Sequence, residues 1–410
     1  MASSISLASP ILLVILFHLV LEIDHTCFAS NATQKTPTGL RITLTRGGFG
    51  KKLSNSLHAL NSLSEAENGA KHRTYSSITS RVRAHEDEYV MELTSGTPPV
   101  KFSAIMDTGS DLIWTKCKRK TSSSSSLSKV SEGCDTLQIP AICKQKYADG
   151  KSIKVTMVRE LLTIGDGKTA IVTFGCGIPG GKDNFMYDGV VGMGRGKLSL
   201  VSQLNESVFS YCLDSSSEKG ILLIGSKAVT AITNSNFQTT TLITQGKESY
   251  YYISLEGISV GQTRLPIDKS NFAIKENNRG GMIIDSGTTF TYLEKGIIDM
   301  IENEFFKQTK LNKSKDGYTP YTDLNRCFNS PYDANIIPKL VFHFSGANWD
   351  VPRENYIYEK KGKACLAFIA NHKKDAQLSI FGNMQQQNMM VLYDLDKNSL
   401  SFMPAKCNQL

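Results

Sequence analysis

The sequence predicts a mostly β protein built from two related halves, on the strength of three observations. Its 410 residues exceed the usual length of a single domain. From Glu88 onward, short runs of β-forming residues alternate with Gly, Ser, Asp and Asn, whereas helix patterns are few. An apolar run that ends in Asp, followed by Thr or Ser and then Gly, occurs twice.

The individual elements can be read from local patterns. Two segments have the apolar spacing of helices, residues 198–204 and 297–306. Residues 122–126 are a run of serines, which predicts a surface loop. The clearest strand patterns are Lys101–Ile105, Met282–Ile284, Leu340–Phe344 and Met389–Tyr393.

Composition and charge exclude several classes of protein. Hydrophobic residues make up 40% of the chain and charged residues 20%, which excludes a disordered chain and a multi-span membrane protein. The net charge of +8 suggests nucleic-acid binding, but residues 30–85 alone carry +7. Because residues 86–410 carry only +3, we expect no nucleic-acid partner for the main body.

An apolar run near the N-terminus predicts a secretory signal peptide over residues 1–29. The run Ile11–Leu21 is interrupted only by His18 and is too short to span a membrane, which takes about 20 apolar residues. Cleavage after Ala29 would leave small residues at the two positions that decide cleavage, and an uncleaved anchor is the alternative. We therefore expect a protein of the secretory pathway, either extracellular or vacuolar, without a membrane partner after cleavage.

Residues 30–87 predict a propeptide. They are polar, rich in Ser, Lys and Arg and poor in strand patterns. A detachable basic segment between a signal peptide and a globular body is typical of a propeptide, and a disordered solvated tail is the alternative.

The cysteines predict disulfide bonds. Signal cleavage removes Cys27 and leaves eight cysteines, an even number that fits an oxidising compartment. None form a close C-x-x-C pair, so a zinc ribbon has no support. Behind a signal peptide, the N-x-S/T sequons at Asn31, Asn205 and Asn312 become candidate glycosylation sites.

The duplicated unit is the most informative feature. The first copy leads through apolar residues to Asp107 and the second to Asp285, 178 residues later. Each copy is followed by a second element of two apolar residues and a glycine. These elements are Val190-Val191-Gly192 and Ile380-Phe381-Gly382.

The two Asp residues predict acid–base chemistry. An Asp that directly follows an apolar strand is poorly hydrated, and the Gly two residues later lets the backbone turn so that its N–H reaches the carboxylate. Two such loops face to face would share one proton, because neighbouring carboxylates cannot both stay ionised. One carboxylate can then deprotonate water while the other donates a hydrogen bond to an amide carbonyl. The alternative is that both Asp residues only cap turns.

From about Glu88 to the C-terminus, the chain resembles the pepsin-like aspartic proteases and, among them, the plant nepenthesin-type group. The resemblance rests on both Asp loops and on further ordered motifs. These are Phe174-Gly-Cys-Gly177, Gly192-Met-Gly-Arg-Gly196, Phe209-Ser-Tyr-Cys212, the segment from Tyr251 to Gly261, and Ser379-Ile-Phe-Gly-Asn383 followed by three glutamines.

The resemblance implies a bilobal pepsin-like fold with an active-site cleft between lobes 88–245 and 246–410. It implies that Asp107 and Asp285 are catalytic, within loops formed by Thr108, Gly109, Ser110, Ser286, Gly287 and Thr288. It also implies an aspartic endopeptidase made as a zymogen, which cuts proteins or peptides beside bulky apolar residues at acid pH. No metal or cofactor is implied, and we expect a monomer.

Three further roles follow from the resemblance. Trp114 matches the family's tryptophan that hydrogen-bonds the flap tyrosine, and Tyr147 matches that tyrosine, on a hairpin that closes over the substrate. An ordinary core aromatic and an ordinary hairpin residue are the alternatives. Cys327 and Cys365 match the regular disulfide of the second lobe, and the remaining pairings stay open.

The chain departs from the family in its first lobe. Tyr147 lies only 33 residues after Trp114, so part of the usual cysteine-rich insertion is missing, and Cys117, Cys134 and Cys143 are candidates for unusual pairing. The flap has Ala148, Lys151, Ile153 and Val155 where the family has small residues and glycines. Losing glycines stiffens a hairpin, and Lys151 adds a positive charge near the cleft mouth.

Two rival functions remain. A pepsin-like protein that binds without cutting, such as a glycosidase inhibitor or a lectin-like receptor, is the main one, although such relatives typically lose one Asp or its Gly. A glycosidase that uses two carboxylates explains neither the duplication nor the paired glycine elements.

Overall fold

All of the residues that the structure describes belong to one compact unit of the chain, Thr74–Leu410. The predicted signal peptide, Asn31, Ala148 and the predicted propeptide up to residue 76 lie outside the described residues. The computed structural model describes residues 77–85, 88–96, 98–117, 131–132, 134, 139, 141–147, 150–177, 187–215, 220–230, 237–314, 324–360, 362–371 and 378–410.

Strands dominate the described residues, so the predicted mostly β class is confirmed. Strands of the first half are β1 Ser77–His85, β2 Glu88–Ser95, β3 Val100–Asp107, β4 Trp114–Lys116, β5 Ser131–Glu132, β6 Ile142–Lys146, β7 Ser152–Ile164, β8 Lys168–Gly177, β9 Gly189–Gly192, β10 Val208–Cys212, β11 Gly220–Gly225 and β12 Gln238–Ile243. Those of the second half are β13 Tyr252–Ile253, β14 Leu255–Val260, β15 Thr263–Arg264, β16 Ile274–Lys275, β17 Arg279–Gly280, β18 Met282–Ile284, β19 Thr291–Leu293, β20 Cys327–Asn329, β21 Leu340–Phe344, β22 Ala347–Val351, β23 Ile357–Lys360, β24 Lys363–Leu366, β25 Phe368–Ala370, β26 Ser379–Phe381, β27 Met389–Asp394 and β28 Ser399–Pro404.

Helices are few and mostly short. The α-helices are α1 Leu200–Gln203, α2 Ser226–Thr230, α3 Lys295–Thr309 and α4 Asn383–Gln386. Single 3₁₀ turns cover Lys269–Phe272, Glu276–Asn278, Ala334–Ile336, Arg353–Asn355 and Cys407–Gln409. Helix α1 is shorter than predicted because Ser199 caps its first turn and Asn205 takes a left-handed φ of 55° just beyond it. No helix in the described part of the chain has the length and hydropathy to cross a membrane.

The two halves repeat one strand arrangement around each Asp. Strand β3, which ends at Asp107, pairs in parallel with β9, and β18, which precedes Asp285, pairs in parallel with β26. Strands β4 and β19 then pair antiparallel with β9 and β26. The second elements found in the sequence are thus the partners of the two Asp strands. Strands β9, β18 and β26 are largely buried, and β3 becomes buried towards Asp107.

A sheet with strands from both halves joins them. Its antiparallel order is β2-β1-β11-β10-β27-β28-β12, in which two pairings, β10 with β27 and β28 with β12, join strands of different halves. Strand β1 lies within residues 30–87, and it pairs with β11 from Ser77 opposite Gly225 to Val82 opposite Gly220. This strand is therefore part of the folded unit, and the propeptide boundary at residue 87 stays a prediction.

All eight remaining cysteines are paired. The structure joins Cys327 to Cys365 between β20 and β24, as the resemblance implies. The pairings that the sequence left open are Cys117–Cys176, Cys134–Cys143 and Cys212–Cys407.

Candidate active site

Two carboxylates sit in matching loops at the ends of buried strands. Asp107 closes β3 and is 8% exposed, and Asp285 follows β18 and is 6% exposed. In each loop, the N–H of the glycine two residues later donates to its own Asp at 2.8 Å, from Gly109 to Asp107 and from Gly287 to Asp285. Tight backbone turns thus supply the hydrogen bonds that orient both carboxylates.

A hydroxyl in each loop completes the hydrogen bonding of its carboxylate. Ser110 Oγ donates to Asp107 Oδ2, and Thr288 Oγ1 donates to Asp285 Oδ2 at 2.6 Å. Both hydroxyls lie three residues after their Asp. Ser110 in the first loop and Thr288 in the second therefore serve the same purpose.

The two loops are hydrogen-bonded to each other. Thr108 N–H donates to Ser286 Oγ at 3.1 Å, and Ser286 N–H donates to Thr108 Oγ1 at 2.9 Å. Ser286 Oγ in turn donates to the carbonyl of Met106 at 2.7 Å. Both side chains are fully buried, so these bonds fix the position of one half's loop against the other's.

Each glycine of a loop leaves room for the carboxylate of the opposite loop. A Cβ atom on Gly109 would lie 2.5 Å from Asp285 Oδ2, and one on Gly287 would lie 2.3 Å from Asp107 Oδ1. Because real side chains never approach so closely, any larger residue would push the two carboxylates apart. The glycines thus allow the two Asp side chains to face each other.

The electrostatics of this pair favour one shared proton. Burial and, second, the neighbouring Asp285 carboxylate raise the pKa of Asp107, although the Ser110 hydroxyl and the Gly109 N–H oppose this. Burial likewise raises the pKa of Asp285, against the hydrogen bonds that it accepts. Each carboxyl also affects the protonation of the other, so the two titrate as a pair rather than as separate groups.

The close approach of the two loops differs from the arrangement in a glycosidase. Glycosidases keep their two carboxyls about 5 to 9.5 Å apart to leave room for the sugar and water. Here a Cβ atom on either loop glycine would collide with the carboxylate of the opposite loop, so the loops meet without such a gap. Among the described residues, no group of three or more His, Cys, Asp or Glu side chains is placed to hold a metal ion.

The hairpin of β6 and β7 carries Tyr147 to Trp114. Trp114 is fully buried, and its Nε1 donates to Tyr147 Oη at 2.5 Å. The hairpin turn is closed by Tyr147 N–H donating to the Lys151 carbonyl at 2.9 Å, with Gly150 at a left-handed φ of 91°. The structure therefore brings together the two aromatic residues that the resemblance singled out.

The altered flap residues pack inward at the base of this hairpin. Val155 is fully buried in a cluster with Trp114, and Ile153 packs against the same cluster. Gly175 on the neighbouring strand makes room, since a Cβ there would lie 2.7 Å from Val155 Cβ. Lys151, in contrast, is exposed near the hairpin turn.

The chain matches two family models and several known proteins. The family model described as Xylanase inhibitor N-terminal matches residues 89–226, and the one described as Xylanase inhibitor C-terminal matches residues 250–404. The chain is 42% identical to aspartic proteinase nepenthesin-1 of Nepenthes gracilis, over 81% of each chain. It is 34% identical to aspartic proteinase nepenthesin-2 of the same plant, over 91% of this chain and 92% of that one. This chain belongs to the nepenthesin-type aspartic proteases.

The resemblance read from the motifs is thereby confirmed, and the chain is an aspartic-type endopeptidase. Among solved structures, the crystal structure of edgp matches with a TM-score of 0.63 at 16% identity, covering 83% of this chain and 97% of that one. At that identity the match shows the fold alone. The predicted bilobal pepsin-like architecture agrees with it.

Beneath the two Asp loops, this nepenthesin-type chain has a buried polar network that sequence reasoning missed. Gln386 Nε2 donates to the carbonyl of Asp285 at 3.1 Å and to that of Phe381 at 2.8 Å. Its Oε1 accepts from Tyr211 Oη at 2.5 Å, and Tyr211 Oη lies 3.0 Å from Tyr393 Oη. Tyr211 and Gln386 fall within motifs that carried the resemblance, but neither motif indicated this contact.

Asp111 is a second residue without a role assigned from the sequence. Its carboxylate accepts hydrogen bonds from the N–H of Gly196, at 2.8 Å, and from Ser249 Oγ. A Cβ on Gly194 or on Gly196 would meet this carboxylate within 2.3 Å. The motif Gly192-Met-Gly-Arg-Gly196 is therefore glycine-rich because it wraps around Asp111, four residues after Asp107.

The two remaining predicted site residues lie on the surface. Asn205 and Asn312 are both exposed, Asn205 directly after helix α1 and Asn312 shortly after helix α3. Exposure makes both side chains accessible to modification. Their glycosylation stays a prediction.

Proposed function

We propose that Asp107 and Asp285 are the catalytic dyad of this endopeptidase and that they act with a single shared proton. The observation that carries the proposal is that the two buried carboxylates face each other across Gly109 and Gly287, so that each affects the protonation of the other. One carboxylate removes a proton from a water molecule, whose oxygen attacks the carbonyl carbon of the substrate amide. The protonated carboxyl donates to the carbonyl oxygen, and proton transfer to the nitrogen then breaks the C–N bond.

Acid pH suits this chemistry because the dyad works only while it holds a proton. The proposed substrates are proteins or peptides, cut beside bulky apolar residues. Tyr147, held by Trp114, would close the hairpin over them. We further propose a monomer that acts in the secretory pathway, either outside the cell or in the vacuole, as the predicted signal peptide suggests.

A binding protein without activity is the second candidate, favoured by the altered flap. Two features weigh against it. Both Asp loops are complete in residue type and hydrogen bonding, and the departures Ile153 and Val155 pack inside the hairpin. Neither departure removes a group that the proposed reaction needs.

The test is acid incubation of the full chain with a denatured protein, with and without a transition-state-mimicking inhibitor. We expect cleavage that the inhibitor and Asp107→Asn both abolish. Asp166→Asn is the matched control, because Asp166 is exposed in the turn between β7 and β8. A folded protein that cleaves nothing between pH 2 and 7 would overturn the proposal and favour the binding function.

A further inference from the structure

A short segment, Ser249–Tyr251, connects the two Asp loops and borders the site. Ser249 Oγ donates to the carboxylate of Asp111, in the first loop region. The carbonyl of Tyr251 accepts from the N–H of Ile284, the residue before Asp285, at 3.1 Å. The residue between them, Tyr250, is therefore held between both loops.

The side chain of Tyr250 lies close to the carboxylates. Burial and, next, the charge of Asp285 raise the pKa of its phenol to about 12, with smaller contributions from Asp107 and Asp111. Its ring also meets that of Tyr252 edge-on, with 6.0 Å between centroids. Tyr250 is only partly buried, so some of its side chain is accessible to solvent.

Lys247 carries a positive charge to this ring. Its Nζ lies 5.4 Å from the centroid of Tyr250, within the range of a cation–π contact. A turn fixes the lysine there, because Tyr250 N–H donates to the Lys247 carbonyl at 3.1 Å. Gly246, just before it, has a left-handed φ of 99° and packs against Tyr252, so the turn has one well-defined path.

We propose that Lys247 is a specificity-determining residue that favours substrates with an Asp or Glu side chain beside the scissile bond, on the Tyr250 side of the site. This inference rests on the proposed proteolytic function. An acidic side chain there would otherwise meet the negative charge of the dyad and of Asp111. The ammonium group of Lys247 offsets that repulsion and offers an ion pair.

The test uses matched octapeptides with a central pair of apolar residues. Each pair of peptides has Glu or Gln at one of the four positions nearest the scissile bond, and mass spectrometry identifies the bond cut. At pH 5.5, where a free Glu is ionised, we expect one position at which kcat/KM for Glu exceeds that for Gln by about two- to fivefold. At pH 3 the ratio should fall to about one, because the substrate carboxyl is protonated.

The variant Lys247→Gln should remove or reverse this preference at pH 5.5. Lys168→Gln is the matched control, because Lys168 is also exposed but lies far from Trp114. On strand β8, Trp114 pairs with Gly175, and Lys168 is seven residues, or about 23 Å, from that glycine. Glu248→Gln, next to Lys247, should keep or increase the preference.

Each outcome decides the inference. A Glu preference that survives in Lys247→Gln, or that Lys168→Gln removes equally, overturns it while leaving the proposed function intact. If the unaltered chain cleaves the Glu and Gln peptides with equal kcat/KM at every position, the inference is also overturned and the proposed function stays intact. If the unaltered chain cleaves no peptide in either form, the proposed function fails and the inference fails with it.

Discussion

The side-chain amide of Gln386 donates to the main-chain carbonyl of Asp285 at 3.1 Å, so a buried glutamine holds the second Asp loop from below. The other side of the same amide accepts from Tyr211, on a strand of the first half. Because all of these groups are buried, none can exchange its partner for water. The position of Asp285 thus depends on contacts from both halves.

Gln386→Leu should impair both stability and activity. It leaves the buried carbonyls of Asp285 and Phe381 and the hydroxyl of Tyr211 without this partner, so the free energy of unfolding should fall by about 2 kcal/mol. Gln308→Leu is the control. Gln308 lies on the exposed side of helix α3, and its side chain also donates to a main-chain carbonyl, that of Val260. If kcat at a temperature well below unfolding were equal in both variants, Gln386 would be structural only.

Gly109→Ala should abolish activity. The added Cβ would lie 2.5 Å from Asp285 Oδ2, so the carboxylates must separate and their shared proton is lost. Gly296→Ala is the matched control, since no atom lies within 4 Å of the added Cβ in the first turn of α3. There we expect unchanged activity and stability within about 1 kcal/mol. Retained cleavage in Gly109→Ala would contradict the face-to-face arrangement.

In a pH profile of kcat/KM, activity should persist at pH values above the usual pKa of an Asp carboxyl. Because the pKa of Asp107 is raised, the pair keeps its shared proton at a pH where isolated carboxyls are ionised. Activity should be present below the higher pKa of the pair and lost as the pH rises through that pKa. Irreversible unfolding is excluded by returning samples to acid pH and recovering the activity.

Removing the hydroxyl of Ser110 should move the alkaline limb of this pH profile, the range in which activity falls as the pH rises, to higher pH. The hydrogen bond from Ser110 lowers the pKa of Asp107, so Ser110→Ala should shift the alkaline limb to higher pH. Ser259→Ala removes a hydroxyl that meets His343, on a sheet away from the Asp loops, and should leave the limb in place. A shift to lower pH in Ser110→Ala would show that the hydroxyl does not stabilise the ionised form.

Trp114→Phe and Tyr147→Phe should have overlapping effects. Each removes the same hydrogen bond, so each should lower kcat/KM by about fivefold to tenfold. The double variant should be no worse than the poorer single variant, because the shared bond can be lost only once. Additive losses measured in the full cycle would mean that the two side chains act separately.

The two Asp loops could be predicted because the sequence pattern that indicates them is short and occurs twice. Asp107 and Asp285 each end a short apolar run, and the turn chemistry of Thr108-Gly109 and Ser286-Gly287 lies in adjacent residues. The second elements could be found for the same reason, although their parallel pairing with the Asp strands needed the structure. The contact between Trp114 and Tyr147 was predicted from the family pattern, since an aromatic residue in an apolar strand indicates only a core position.

Contacts between distant segments could not be predicted. Tyr211 and Gln386 are 175 residues apart, and their contact depends on the pairing of β10 with β27. The partner of Cys117 was open for a similar reason, because only the parallel pairing of β4 with β8 brings Cys176 to it. Each of these contacts follows from strand register, which no short motif encodes.

A disulfide joins Cys212 to Cys407, which are 195 residues apart in the sequence. It links strand β10 of the first half to a residue close to the C-terminus. Exposed loops are the preferred sites of proteolytic cleavage, so a nick is expected there when the chain meets its own activity or that of another protease. Any single nick between these two cysteines leaves two fragments that are still covalently joined. Such a nicked chain would migrate as one species without reductant and as two with it, and its two Asp loops would stay in one molecule.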